Sequence, residues 1–428
     1  MLVPLHGVGS RQDLPLPLEL VALGAGLTLA ITFILVLRSW GDPKWCEFRG
    51  RPLPGLTRLV DNPILQWVLR LVVLGVFAVA ILALVAGKDK ISNPFPGFLF
   101  VWVWVGLVPV SLVGGHLWRT LNPVRTLLLW RGALRRESQE PLPMGLYPAA
   151  LGLLAFTWLE LVQPDRATTQ VLKWWALAFA AAMLAGALVA GPRWISSAEP
   201  FETFASTMAR MSPWQRREGV LHLVNPLRHV SSAVPRRGLW AVCCVLLGST
   251  AFDSLSNGPW WIRTTQSAAV PSWLTGTLGL AACVALVTLT FWWGVRAVEH
   301  AVSPRQPLMD SLARSMVPIV AGYALAHYAT LLVLEGQRVA INLSDPLVRG
   351  DNWFGTAEMG VNGAIFDYTT VVAWGQVLLI VGAHVVGVLS AHDIAVRYLP
   401  RERWRSAQLP LLAVMVLYTC GGLFLLFA

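Results

Sequence analysis

An ionisable side chain in the middle of an apolar run is costly to place in lipid, so the few that this chain carries there mark where chemistry is to be sought. Glu160, Asp253 (in Ala251-Phe-Asp-Ser-Leu-Ser256), His327 (in Ala326-His-Tyr328) and His384 form one group. Tyr323 lies one helical turn before His327 and Thr330 almost one turn after it, a polar stripe along one helix face. Asp253, His327 and His384 have the donor types of a divalent transition-metal site, and Asp253, His327 and Glu160 those of an acid–base catalytic site. Separate helix-packing hydrogen bonds are the plainer alternative. A second group, His116, Glu299, His300, His392 and Asp393, falls at the other ends of apolar runs, where water and headgroups reach. His384 and His392 lie roughly 12 Å apart along a helix and cannot share one metal ion.

These residues are positioned by long apolar runs. Of 428 residues 55% are hydrophobic and 13% charged, with a mean hydropathy of +0.59, too apolar for a water-soluble chain of this length. The runs cover roughly 16–37, 64–87, 97–118, 147–163, 171–191, 238–256, 272–298, 311–336, 370–395 and 406–427. A run of about 20 residues crosses a hydrocarbon core of ~30 Å as a helix. The expectation is therefore an all-α polytopic bundle of about ten transmembrane helices forming a single membrane domain over 1–428, with the lipid bilayer as its partner.

Basic residues sort the connecting loops. One set holds Arg38, Lys44, Arg49, Arg51 and Arg58, then Arg119, Arg125, Arg131, Arg135 and Arg136, then seven arginines from Arg193 to Arg237, then Arg296, Arg305 and Arg314, then Arg397, Arg401, Arg403 and Arg405. The alternate loops hold only Arg11, Lys88, Lys90, Arg166, Lys173, Arg263, Arg338 and Arg349. The positive-inside rule places the first set in the cytoplasm and both termini outside, in a bacterial inner membrane. Anionic headgroups on that side account for the net charge of +10 without nucleic acid. The first run has no cationic stretch before it and no small-residue cleavage site after it, so no cleaved signal peptide is expected.

Two cytoplasmic stretches read as amphipathic helices on the membrane surface. One starts at Asn122-Pro123, with Val124, Leu127, Leu128 and Leu134 on one face and Arg125, Arg131, Arg135 and Arg136 elsewhere. The other lies in the loop 192–237 near Ser197 and Pro200, with Phe201, Phe204, Ala205, Met208 and Met211 at helical spacing. The echo of Leu121-Asn-Pro-Val-Arg125 at Val224-Asn-Pro-Leu-Arg228 fits either a duplication or repeated loop capping. The orientation with both termini outside puts Glu160, Asp253, His327 and His384 in the outer leaflet, and the extracytoplasmic loop 337–369, with Asp345, Trp353, Glu358 and Asp367, is long enough to cover them. Most of the 21 tryptophans, such as Trp102, Trp104, Trp174 and Trp260, fall near run ends, where indoles prefer the interface. Cys46, Cys243, Cys244, Cys283 and Cys420 make no CxxC or CxxCH pattern, and there is no His-x-His, His-Glu-x-x-His, phosphate loop or nucleophile elbow.

The segments His6-Gly-Val-Gly-Ser-Arg-Gln-Asp-Leu-Pro15, Pro200-Phe-Glu, Ala209-Arg-Met-Ser-Pro-Trp214, Asn225-Pro-Leu, Gly248-Ser-Thr-Ala-Phe-Asp253, Ala326-His-Tyr, Ser344-Asp-Pro-Leu, Phe354-Gly-Thr and His384-Val-Val-Gly-x3-Ala-His392-Asp393 give nearly the whole chain a resemblance. It resembles the actinobacterial multi-pass membrane proteins labelled fenitrothion hydrolase, the FedB-like membrane component. The resemblance implies a membrane enzyme, or a subunit working with a second protein, that hydrolyses an organophosphorus-type ester. Two further classes stay open on the residues alone. One is a permease or binding subunit using the same groups as a proton or substrate relay, and the other a redox subunit with non-covalent haem between His327 and His384. On straight helices those two imidazoles differ in depth by roughly 8 Å, unless Pro318 shifts the helix that carries His327.

Overall fold

The computed structural model describes residues 14, 16–130, 142–267, 269–302, 307–400 and 404–427. Most of the segment from His6 to Pro15, with Arg11, and the positions of Arg131, Leu134, Arg135, Arg136, Arg305, Arg401 and Arg403 lie outside the described residues.

Each of the ten apolar runs carries a helix. They are α1 (Leu18–Ser39), α2 (Pro63–Ala86), α3 (Pro94–Gly114), α4 (Tyr147–Leu161), α5 (Thr169–Ala190), α7 (Leu239–Ser256), α8 (Ser272–Val302), α9 (Met316–Asn342), α10 (Thr369–Tyr398) and α11 (Leu409–Phe427), with α6 (Pro200–Met208) between α5 and α7. Among the described residues nine are long and apolar enough to cross a membrane. The exception, α4, has 15 residues and reaches only about 22 Å. The chain is therefore a multi-pass α-helical membrane protein.

Helix starts are written in the sequence as X-Pro pairs, because proline at the first helical position gives up an N–H that has no partner there anyway. Asn62, Asn93, Asn122 and Asn225 each precede a proline, and each side-chain oxygen accepts a backbone N–H two residues on, at 2.9 to 3.0 Å. The echo at 121–125 and 224–228 is thus a shared capping device. Pro318 lies in the first turn of α9, where it costs no helical hydrogen bond, so it does not displace that helix. Pro109 falls inside α3, and the helix just before it is widened to π geometry over Phe98–Val105, with Gly106 N–H on the Val101 carbonyl at 2.8 Å.

α9 is the central helix, packed against α3, α7 and α10 and buried along its first half. The α9–α10 contact is close because Gly322 has no side chain: a Cβ there would stand 2.2 Å from the Cβ of Ala383. Gly248 does the same for α7 against the backbone of α8 at Val284. Small residues at crossings let helices in lipid approach by dispersion, since apolar burial brings little there.

At the end where the basic loops gather, the structure departs from the surface-helix expectation. Both faces of α6 are buried, and Arg125, assigned above to a polar face, points into the protein. Its guanidinium grips Glu202 through Nε at 2.5 Å and Nη2 at 2.7 Å, which ties the start of the first segment to α6, while Leu127 and Trp130 of that segment stay exposed. Asn122 donates to both Glu199 and Glu202, and Glu199 caps α6 by accepting from Phe201 N–H and Glu202 N–H. Burial, then the neighbouring Glu202 carboxylate, pushes Glu199 up to about 8. The all-α expectation also missed a small antiparallel sheet in the order β1 (Gly50–Pro52), β3 (Val220–Val224), β2 (Trp214–Arg217). Its hairpin turns through Glu218 and Gly219, both with positive φ, as a two-residue turn requires.

Candidate functional site

The polar site forms where α7 ends beside the middle of α9, away from the basic loops. α7 supplies Asp253 and Ser254, and Asn257 closes its last turn by donating to the Asp253 carbonyl at 2.5 Å and Oδ1 at 3.3 Å. α9 supplies Tyr323, His327 and Tyr328. Tyr323 and His327, one turn apart, lie nearly parallel with ring centres 6.1 Å apart, so both present polar atoms to α7. Gln376 of α10 donates to the Ala326 carbonyl at 2.8 Å and fixes α9 from behind.

Asp253 Oδ2 receives the Tyr328 hydroxyl at 2.7 Å and lies 2.9 Å from His327 Nε2. With Asp253 as the acceptor, His327 carries its proton on Nε2 and keeps a lone pair on Nδ1. That Nδ1 faces Ser254 Oγ at 3.4 Å, and Ser254 Oγ lies 3.0 Å from Tyr323 Oη. A continuous chain Asp253, His327, Ser254, Tyr323 results. Its Asp253 end borders a polar cavity of about 230 Å³ shared with Arg166, Ser256, Asn257, Trp261 and Thr265. Glu160 lies within electrostatic reach of Asp253 and Tyr328, and its Oε2 is buried without a hydrogen-bond partner among the described residues. Thr330 is buried on α9.

Asp253, His327 and Glu160 are therefore brought together, and His384 is not. His384 Nδ1 binds the Ile380 carbonyl of its own helix at 2.8 Å, and the ring lines a separate apolar cavity that Tyr323 also borders. The expected metal set of Asp253, His327 and His384 does not assemble, and among the described residues no three His, Cys, Asp or Glu side chains stand together as a metal site. Both ring nitrogens of His327 face protein partners, so the pair does not fit a shared haem either. The loop 337–369 does not act as the expected cover. α9 runs on to Asn342, the remaining segment is folded on itself around Ser344 and Asp345, and Leu347 accepts from Lys88 N–H beyond α2. None of its residues lines the cavity beside Asp253.

The opposite group is also corrected in part. His392 and Asp393, expected to be wet, are fully buried: Asp393 accepts from Lys44 N–H and Trp45 N–H at 2.6 and 2.9 Å, and His392 lies between Trp40 O and Gln408 Oε1. They hold segment 40–46 onto α10. Glu299 accepts from Leu308 N–H, while His116 and His300 are exposed.

Ser254 and Tyr328 are the functional groups that sequence reasoning did not single out. Compared with known protein families, curated proteins and solved structures, the chain finds no match.

Proposed function

We propose that this chain is a membrane-embedded enzyme of the bacterial inner membrane that performs acid–base chemistry on an apolar ester drawn from the lipid. The basic loops face the cytoplasm, both termini lie outside, and the site opens in the outer leaflet. The observation that carries the reading is the Asp253–His327–Ser254 series, with His327 held by a carboxylate on one nitrogen at 2.9 Å and facing a hydroxyl on the other at 3.4 Å. This is the arrangement of a base and nucleophile oriented by an acid, and such contacts tighten when substrate binds.

His327 Nδ1 takes the Ser254 proton as Oγ attacks the ester centre, and returns it to the departing oxygen as that bond breaks. Asp253, steadied by Tyr328 and Asn257, stabilises the imidazolium that forms between the two steps. In the second step water attacks the serine-bound centre, Glu160 accepts the water's proton, and that proton passes to Ser254 Oγ as its bond to the product breaks. The resemblance to fenitrothion hydrolase supports an organophosphorus-type ester as the substrate class. The test is covalent labelling: protein in lipid nanodiscs is treated with an apolar fluorophosphonate, and the modified residue is found by peptide mass spectrometry. Labelling of Ser254 that disappears in His327→Ala supports the enzyme; an unmodified Ser254 removes it.

One observation favours a second reading, a proton relay in a permease. The chain of groups runs on through Tyr323, so it connects the polar cavity at Asp253 with the apolar cavity deeper in the bundle. Proton flux through proteoliposomes that stops in Asp253→Asn, without Ser254 labelling, would select it.

A further inference from the structure

A cavity of about 650 Å³, the size of a ligand pocket, opens at the end where the basic loops gather. It lies where α2 begins and α3 ends, between Gln66 of α2, the short helix Leu117–Leu121 and the β2–β3 hairpin. Two contacts hold the hairpin over it. Trp214 Nε1 donates to the Val113 carbonyl at 2.6 Å, and the Arg216 guanidinium binds both oxygens of Asp61 at 2.6 and 2.9 Å. Much of the wall is apolar, but its charged and titratable residues, Asp61, His116, Arg119 and Arg216, are all exposed and within reach of a ligand.

The charge of this cavity is positive. Arg119 and Arg216 line it against one carboxylate, Asp61. The groups that act most strongly on His116 by their charge are His229, Arg210, Arg119 and Arg236, all basic. An anion entering the cavity is therefore attracted, and a guanidinium pairs well with phosphate oxygens.

An apolar groove of about 180 Å³ leads away from the cavity into the bilayer, lined by Val73, Val76 and Phe77 of α2, Phe98 and Trp102 of α3, and Trp118. Two relations join groove and cavity. Trp118 stands between Leu117 and Arg119, which line the cavity, and Gln66 of the cavity shares one face of α2 with Val73 of the groove, seven positions on. From Gln66 to Phe77 the helix rises about 16 Å, which is about half of a ~30 Å hydrocarbon core and so the depth of one leaflet. Val72, at the edge of the groove, is 59% exposed, so acyl chains reach it from the side.

We propose that cavity and groove together bind one phospholipid with an anionic headgroup, its phosphate in the cavity beside Arg119 and one acyl chain along α2 and α3. The groove alone takes any acyl chain, and the basic cavity at its head makes the site selective. A zwitterionic lipid brings its ammonium group into the same basic surroundings and is disfavoured. The site shares no residue with the Asp253 chain, and it stays in the leaflet of the basic loops whichever side of the membrane they face.

The experiment titrates the full chain, delipidated in detergent, with phosphatidylglycerol or with phosphatidylcholine of the same acyl chains, and counts bound lipid by native mass spectrometry. One phosphatidylglycerol is expected to bind saturably and roughly tenfold or more tighter than phosphatidylcholine, the effect of a charge-assisted hydrogen bond. Glycerophosphoglycerol, the same headgroup without chains, should fail to displace it. Arg119→Gln should remove the preference, and Val73→Trp, which fills the groove, should weaken binding of both lipids. Arg405→Gln is the control: it takes a charge from the same end of the protein, outside the cavity, and should leave the preference in place. Equal binding of the two lipids by the wild-type protein would overturn the proposal without reliance on any variant's folding. Displacement by glycerophosphoglycerol would mean a site for a soluble phosphate ester instead, and equal losses in Arg119→Gln and Arg405→Gln would mean general attraction to the basic end; either result also overturns it.

Discussion

Tyr328 donates its hydroxyl to Asp253 Oδ2 across 2.7 Å, on the same oxygen that meets His327 Nε2. Two neighbours on α9 thus share one carboxylate oxygen of α7. For a largely buried carboxylate a second donor offsets much of the cost of giving up water. Tyr328→Phe keeps the ring and removes the donor. It should cost ~1.5–3 kcal/mol of stability, the range for a hydrogen bond to a charged group. Denaturant unfolding in detergent micelles reads this directly, and an unchanged midpoint would show that the hydroxyl contributes nothing.

Asp253 and His327 are expected to act as a unit. Asp253→Asn and His327→Gln should each abolish activity or transport while the protein still inserts and purifies normally. The double variant should be no worse than either single, so that the coupling energy is as large as the loss caused by one variant alone. Strictly additive losses would mean that the contact is structural only.

The pairing of Asp253 with His327 was legible in the sequence because each is an isolated polar group in the same-side half of an apolar run, Asp253 at the end of its run and His327 about two turns short of the end of its own, a difference that helix tilt takes up. Ser254 and Tyr328 were not. Consecutive residues on a helix point about 100° apart, so a neighbour of a site residue reads as belonging to another face. Here the site wraps around both helices and uses adjacent positions on each. The burial of α6 was hidden for a different reason. Apolar spacing at Phe201, Phe204, Ala205 and Met208 reveals one covered face, whereas the other is covered through Glu202, whose partner Arg125 is 77 positions away. The strands left no pattern, since each has only three to five residues and Gly50 pairs with Val224 far along the chain.

The α9–α10 crossing gives a packing prediction. Gly322→Val would drive a side chain into Ala383 and the Leu379 carbonyl, where a Cβ alone already stands 2.2 and 2.9 Å away. Overpacking of this kind typically costs ~1–3 kcal/mol. Gly375→Ala on α10, where a Cβ meets nothing within 4 Å, is the control and should leave stability unchanged. Thermal unfolding of the two variants side by side distinguishes packing at this crossing from a general intolerance of larger residues.

Topology is tested with reporters fused after residues 215 and 350. The proposed orientation, with the basic loops inside, puts residue 215 in the cytoplasm and residue 350 outside. A reporter active only in the cytoplasm should work at the first position and fail at the second. Cytoplasmic activity at residue 350 would invert the bundle and move the Asp253 site to the inner leaflet.

Glu199 should make stability depend on pH at the basic end. Burial and the adjacent Glu202 carboxylate raise its folded value to about 8, from an ordinary carboxylate value of 4.5 in the unfolded chain. The folded protein therefore binds more protons than the unfolded chain between these limits. The stabilising contribution is fully present below the ordinary carboxylate range and is lost as pH rises through about 8. Glu202 keeps its charge partner Arg125 throughout, so the loss belongs to Glu199. Glu199→Gln retains an oxygen to cap α6 and removes the ionisation. Melting temperatures in detergent at pH 6 and pH 9 should fall for the wild type and stay closer together for the variant, which should be the more stable of the two at pH 9. Parallel pH profiles for both proteins would show that Glu199 is already ionised at pH 6, with its charge satisfied by Asn122 and the first N–H groups of α6.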